Sequence, residues 1–206
     1  MSRPGTFERV YAAIKERLRE GGLRPGDRLE PALLSDDLNS SVTPVRDALH
    51  RLVGERLVEA PRHEGFRVPM LTETMLRHLY GWHLDLLLLA LARRRTEPIE
   101  QRSAADAPAA DRRLSATFAA IAADTGNPEH AAVLDNLAQR LEPYERLERL
   151  FLDGVEDEIA EVIAAVDGQD LKQLRRALVR YHRRRQRIVP ELLATISRTS
   201  PEPLRG

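Results

Sequence analysis

No cysteine occurs anywhere in the 206 residues. That absence excludes disulfides, thiolate zinc sites and cysteine nucleophiles together, and it fits a reducing compartment. Aromatic residues are scarce too, at 4% with a single tryptophan. Strands draw on aromatics, Val and Ile, so a chain dominated instead by Leu, Ala, Arg and Glu is expected to be mainly helical. Long apolar runs are missing: the longest, Leu86 to Ala92, is too short to span a bilayer, so no membrane partner is expected. The opening MSRPGTFERV lacks the apolar stretch of a signal peptide, which points to the cytoplasm. Lysine is nearly absent, with only Lys15 and Lys172. The arginine excess that replaces it reads as the bias of a GC-rich genome, which carries no site information, although Arg does suit phosphate and guanine contacts better than Lys. Formal net charge is zero, yet a local basic patch can still bind nucleic acid.

The chain reads as helices with clear stops. Phe7, Val10, Tyr11, Ile14 and Leu18 share one helical face, and Gly21–Gly22 end it as C-terminal caps do. A Pro-Gly turn in LRPGDRL leads into a short extended piece. A second helix is expected from about Pro31 to Leu38, with Asn39 in a left-handed turn. A third follows in SSVTPVRDALHRL, Ser40 to Leu52, where Ser41 or Thr43 can cap and Pro44 in the first turn costs little. Leu57 to Val68 reads as two β-prone runs around Pro61 and Gly65, a hairpin. Three helices followed by a hairpin is the order of a winged helix.

Beyond Thr72 all signals are helical. One helix runs through LYGWHLDLLLLALARR, apolar on nearly every side and suited to the centre of a bundle. Thr96 to Asp111 reads as a long connection. Further helices carry Leu114, Phe118 and Ile121, stopped by Gly126; then Val133 to Tyr144, started by Asn127-Pro128; then about Asp153 to Val166; then a last one capped by Asp170. The expected architecture is a winged helix-turn-helix at residues 1–70, an antiparallel all-helical bundle at 71–198, and a flexible tail at 199–206.

The segments EGGLRPGDRL, LLSDDLNSSVTPVRDALHRLVGERLVE and HEGFRV, in that order, resemble the DNA-binding domain of the GntR family of bacterial transcription regulators. Leu23, Pro25, Gly26 and Leu29 match its turn. Ser41, Thr43, Pro44, Val45, Arg46, Ala48, Leu49, Arg51, Leu52, Leu57 and Val58 match its helix and following strand. The helical remainder is similar to the effector-binding domain of the FadR-like subfamily, through its helix count, TGN at Thr125–Asn127 and the Glu158–Asp170 spacing.

The resemblance implies a dimeric regulator that reads double-stranded DNA, represses from a palindromic operator and responds to a small effector. Ser41 becomes the cap of a recognition helix whose free N–H groups suit a phosphate. Arg46 is the expected base or phosphate contact, since a guanidinium can grip guanine O6 and N7 together. His50 shares its face, four residues on, and Thr43 lies on the first turn. Arg62, His63, Gly65 and Arg67 form the candidate wing contacts. Arg51 is expected to be a solvated charge paired with Asp47. Val42 stands where the family commonly has Arg, and either meets thymine methyls or faces the domain.

Many FadR-like regulators hold a divalent metal through one Asp and three His. Asp111 matches the Asp, but Ser115, Ile159 and Tyr181 stand at the His positions, so neither metal nor other cofactor is expected. His182 is turned about 100° from Tyr181, and His78, His83 and His130 read as surface or core polar groups. Tyr80, His83, Asp111, Ser115, Phe118 and Tyr181 could line an effector pocket between helices or simply pack together. The run RYHRRRQR, Arg180 to Arg187, reads as a solvated helix end. Two other functions compete: a helical half that only dimerises, and an enzyme with an appended winged helix. For the enzyme there is no nucleophile–base pair, phosphate loop or His-Glu metal motif.

Overall fold

The computed structural model describes residues 5–93 and 110–199. The connection expected before Asp111 and the expected tail therefore fall almost wholly outside the described residues. Helix α1 spans Thr6–Glu20 and ends at Gly21, whose φ of 75° is left-handed. Strand β1 is Arg28–Leu29, α2 is Pro31–Asp37, and Asn39 turns the chain with φ of 47°. Helix α3 spans Val42–Gly54 and strand β2 is Phe66–Arg67. Then come α4 (Glu73–Arg93), α5 (Ala110–Ala123), α6 (Pro128–Glu148), α7 (Val155–Asp167) and α8 (Leu171–Thr199). The architecture is a winged helix-turn-helix followed by helices.

Packing divides the chain into two units: residues up to Leu71, joined by the end of α8 from Ala194, and residues Thr72–Leu193. The expected bundle runs over 71–198, whereas packing groups the stretch from Ala194 with the first unit. The core of that unit comes from one face of each helix: Val10, Ile14 and Leu18 of α1, Leu34 of α2, and Val45, Ala48, Leu49 and Leu52 of α3, closed by Leu29, Val58, Phe66 and Val68.

The expected hairpin is only partly formed. Its first arm is reduced to a bridge at Glu59, which exchanges two 2.9 Å backbone hydrogen bonds with Arg67. Its second arm pairs mainly with β1, antiparallel, Arg28 opposite Arg67 and Leu29 opposite Phe66. The extended piece after the Pro-Gly turn is thus the missing strand, and β2 sits in the middle. Facing arginines would repel, but Arg28 pairs with Glu30 at 2.9 Å and Arg67 with Glu59 and Glu64.

In the second unit the caps act as the sequence suggests. The Thr72 hydroxyl accepts from Met75 N–H, Asn127 Oδ1 from Glu129 N–H, and Asp170 Oδ1 from Gln173 N–H. Helix α5 packs on α6 and α7, and α4 on α5 and α6. Helix α4 departs from expectation, because Met75, Trp82 and Leu89 are exposed and, among the described residues, only its other face is covered.

Candidate nucleic-acid interface and the polar core of the second unit

Because Val45, Ala48, Leu49 and Leu52 are fully buried, α3 has only one way to face the domain, and the opposite side of its first two turns is presented outward. Ser41, Val42, Thr43, Arg46 and His50 are all exposed there. Ser41 holds the cap position with extended backbone, φ −84° and ψ 162°, but its hydroxyl makes no cap hydrogen bond. Among the described residues nothing accepts from the N–H of Val42 or Thr43, so the positive end of the helix is open. Arg46 is likewise without an ion pair or hydrogen bond among the described residues. Val42 is 36% exposed and lies on this end rather than in the core. His50 is engaged from one side, its ring 5.0 Å from that of Phe66 and at 76° to it.

Arg51 and Arg9, also near α3, are already occupied. Arg51 does not pair with Asp47 as expected: it contacts Glu55 at 3.4 Å and Glu8 at 3.7 Å, and its guanidinium lies 4.1 Å from the Tyr11 ring centre. Around it, Tyr11 donates to Glu55 at 2.7 Å and Lys15 to Tyr11 at 3.0 Å. Burial works against the Glu55 charge, yet the Tyr11 hydroxyl and Lys15 outweigh it and hold that carboxyl below its usual range. This cluster ties α1 to α3. Arg9, unassigned by the sequence reading, donates to the carbonyls of Leu38 at 2.8 Å and Asn39 at 3.3 Å, closing the end of α2. At the wing, Arg62, His63 and Gly65 are exposed, with His63 and Gly65 at φ of 65° and 77°. Arg67 is different, being held by Glu59 and, at 3.0 Å, by Glu64.

The residues proposed for a pocket do not all converge. Tyr80, His83, Phe118 and Tyr181 are buried, and the Phe118 ring lies 5.2 Å from that of His83 and 5.8 Å from that of Tyr181. Ser115 is exposed and does not join them. The side chain of Asp111 lies outside the described residues. His182, set aside on sequence as turned away, is fully buried. Its Nδ1–H donates to the Leu178 carbonyl at 2.7 Å, leaving Nε2 to accept from His83 Nδ1 at 2.9 Å. His83 Nε2 then has no hydrogen-bond partner among the described residues. Burial pulls His83 down to about 4, and burial with the neighbouring His83 takes His182 well below its ordinary value. Both rings are neutral near pH 7.

RYHRRRQR is not a solvated end. It lies mid-helix, and Arg185 is 1% exposed. Its Nε is 2.7 Å from Glu148 and its Nη1 2.7 Å from Glu158, while its guanidinium lies 3.2 Å from the Tyr181 ring centre. Tyr80 donates to the other Glu148 oxygen, and Arg184 reaches Glu158 at 3.3 Å. Two carboxylates and two guanidiniums thus compensate one another. Burial still raises the Glu148 carboxyl, against the pull of Arg185 and Tyr80. The signal was present in the spacing: Leu174, Leu178, Tyr181, Arg185, Val189, Leu192 and Ile196 repeat every three or four residues. Among the described residues no group of three or more His, Asp or Glu could hold a metal, and no helix is long and apolar enough to cross a membrane.

Residues 6–68 match the family described as "Bacterial regulatory proteins, gntR family". The chain is 35% identical over 79 residues to the HTH-type transcriptional regulator McbR of Escherichia coli K12, covering 38% of this chain and 36% of that protein. It is 31% identical over 84 residues to the HTH-type transcriptional repressor GlaR of the same organism, covering 40% and 38%. These matches span little more than a third of either relative. The solved structure of E. coli McbR/YncC superposes with a TM-score of 0.63 at 22% identity, over 92% of this chain and 99% of that one. A putative GntR regulator from Rhodococcus sp. RHA1 gives 0.67 at 16%, over 95% and 99%. At such identities the likeness is one of fold, and it extends through both units.

Proposed function

We propose that this chain, whose residues 6–68 belong to the gntR family of bacterial regulatory proteins, is a sequence-specific DNA-binding transcriptional regulator that occupies a palindromic operator as a homodimer. It acts in the cytoplasm, by binding rather than by catalysis. The observation that carries the reading is Arg46, exposed and unpaired beside the open N-terminus of a helix whose other face is wholly buried. Helix α3 enters the major groove with Val42, Thr43, Arg46 and His50 toward base edges, while its free N–H groups and Ser41 take a phosphate. Arg62, His63 and Gly65 at the wing reach the neighbouring backbone. Arg67 keeps the wing in shape and contributes to DNA only through that shape. GlaR, matched over 40% of this chain, is a repressor by name, which supports repression here. A footprint over the protein's own upstream region and across its chromosome tests the reading; no protected palindrome would sink it.

A small effector would act from the second unit by biasing the separation of the two reading heads. The packing of Phe118 on Tyr181, with Tyr80 buried as well, favours a second reading, in which that unit dimerises and senses nothing. The unpartnered His83 Nε2 is what a ligand's hydrogen-bond donor would seek in the first reading. Thermal shift with metabolites separates the two, since a true ligand stabilises by mass action.

A further inference from the structure

Helix α4 carries a second apolar row beside its buried face, and among the described residues of its own unit only the buried face is covered. Leu76, Leu79, Tyr80, Leu86 and Leu87 are buried, whereas Met75, Trp82 and Leu89 are 49%, 50% and 37% exposed. His78 and Asp85, also exposed, fall between them, so the positions 75, 78, 82, 85 and 89 step by three and four. That is the spacing of a seam between two paired helices. A helix apolar all round is ordinarily enclosed, and three large apolar side chains in one row differ from the scattered ones of any surface. The row borders an open groove whose far wall is α8, through Arg183, Gln186 and Arg187. Asp85, Arg183 and Arg187 have no ion-pair partner among the described residues.

We propose that this face receives a second copy of the chain, α4 against α4, antiparallel about a two-fold axis near Trp82. The occupant follows from the face itself. A two-fold interface places residue i opposite j and j opposite i, and this row is self-complementary under that operation. Met75 and Leu89 lie seven residues either side of Trp82 and exchange places, so Met75 meets the partner's Leu89. His78 meets the partner's Asp85, an opposite or hydrogen-bonding pair. Arg183 and Arg187 wall the same seam with the cations that an incoming carboxylate needs. An acidic peptide or a phosphate backbone would use those arginines and leave the apolar row wet. The inference rests on the dimeric reading above and names its surface.

The absence of cysteine and the single tryptophan make the test direct. In the full chain, sedimentation at micromolar concentration should show a dimer, with blue-shifted tryptophan emission that reddens on dilution. Trp82→Glu should raise the dimer dissociation constant by about 100-fold, the loss expected of a central aromatic anchor, with unchanged far-ultraviolet circular dichroism because the side chain is exposed. Trp82→Cys should form an intermolecular disulfide on oxidation, which requires the two Cα atoms to come within about 7 Å. Val133→Cys, exposed on α6, should not. A wild-type monomer would overturn both the dimer and its surface. A dimer that survives Trp82→Glu and leaves Trp82→Cys unlinked would overturn the surface alone.

Discussion

Arg46, Arg51, Arg62 and Arg67 carry the same charge and differ in what already holds the guanidinium. Arg51 and Arg67 sit among carboxylates; Arg46 and Arg62 pair with none among the described residues. Replacing Arg46 with Ala should therefore weaken operator binding by about 10- to 100-fold and relax specificity at one base position, as loss of a bidentate contact does. Fluorescence anisotropy against operator variants reads both. Arg62→Ala should instead lower affinity evenly across sequences and reduce the salt slope by about 1. At His83 the outcome depends on pH. Its folded value, about 4 because of burial, lies below the ordinary 6.5. The unfolded chain therefore binds the proton first, and stability present above pH 6.5 is lost as pH falls toward 4. His83 alone should remove about 2 kcal/mol between pH 7.5 and 5. Urea titrations of wild type and His83→Gln over that range should diverge; parallel profiles would show that the ring titrates normally.

Between elements, the contact of α4 with α8 turns on a missing donor. Pro190 lies inside α8 and has no N–H, so the carbonyl of Gln186, four residues earlier, loses its helical partner. Arg77 Nε of α4 donates to that carbonyl at 3.1 Å, and Gln186 Nε2 returns a 3.3 Å bond to the Arg77 carbonyl. The helices come close there, for a Cβ on Gly81 would lie 3.4 Å from Gln186 Nε2. Arg77→Ala should cost about 1–3 kcal/mol by orphaning the carbonyl. In a Pro190→Ala background, where the helical N–H returns, the same change should cost about 1 kcal/mol less. Equal losses in both backgrounds would mean that Arg77 stabilises the helix pair in some other way.

For the whole molecule, zero net charge means that the proposed dimer would bind DNA through local geometry repeated by symmetry. Two reading heads on a palindrome should protect half-sites one helical turn apart, about 34 Å centre to centre. Inserting five base pairs between them should abolish tight binding, because one head would then face the wrong side of the duplex. With about six to ten phosphates neutralised, affinity should fall about 10³- to 10⁵-fold between 50 and 200 mM salt. A shallow salt dependence would argue against backbone engagement by both heads.

Local chemistry was legible in the residues. Caps, glycine stops and one-sided apolar spacing are near-neighbour effects, so the ends of α1, α4, α6 and α8 follow from Gly21, Thr72, Asn127 and Asp170. The outward face of α3 follows for the same reason, since burying Val45 and Leu49 leaves Arg46 outside. The partners of long side chains were not legible. Arg51 chose Glu55 and Glu8 over Asp47 because α1 brings Glu8 and Tyr11 alongside. The strand completing the wing came from Arg28–Leu29, distant in sequence. Arg185 and His182 went inward because Glu148, Glu158 and His83 arrive from other helices to meet them. A buried charge or imidazole is tolerable only with its partner in place, and that partner is supplied by tertiary structure alone.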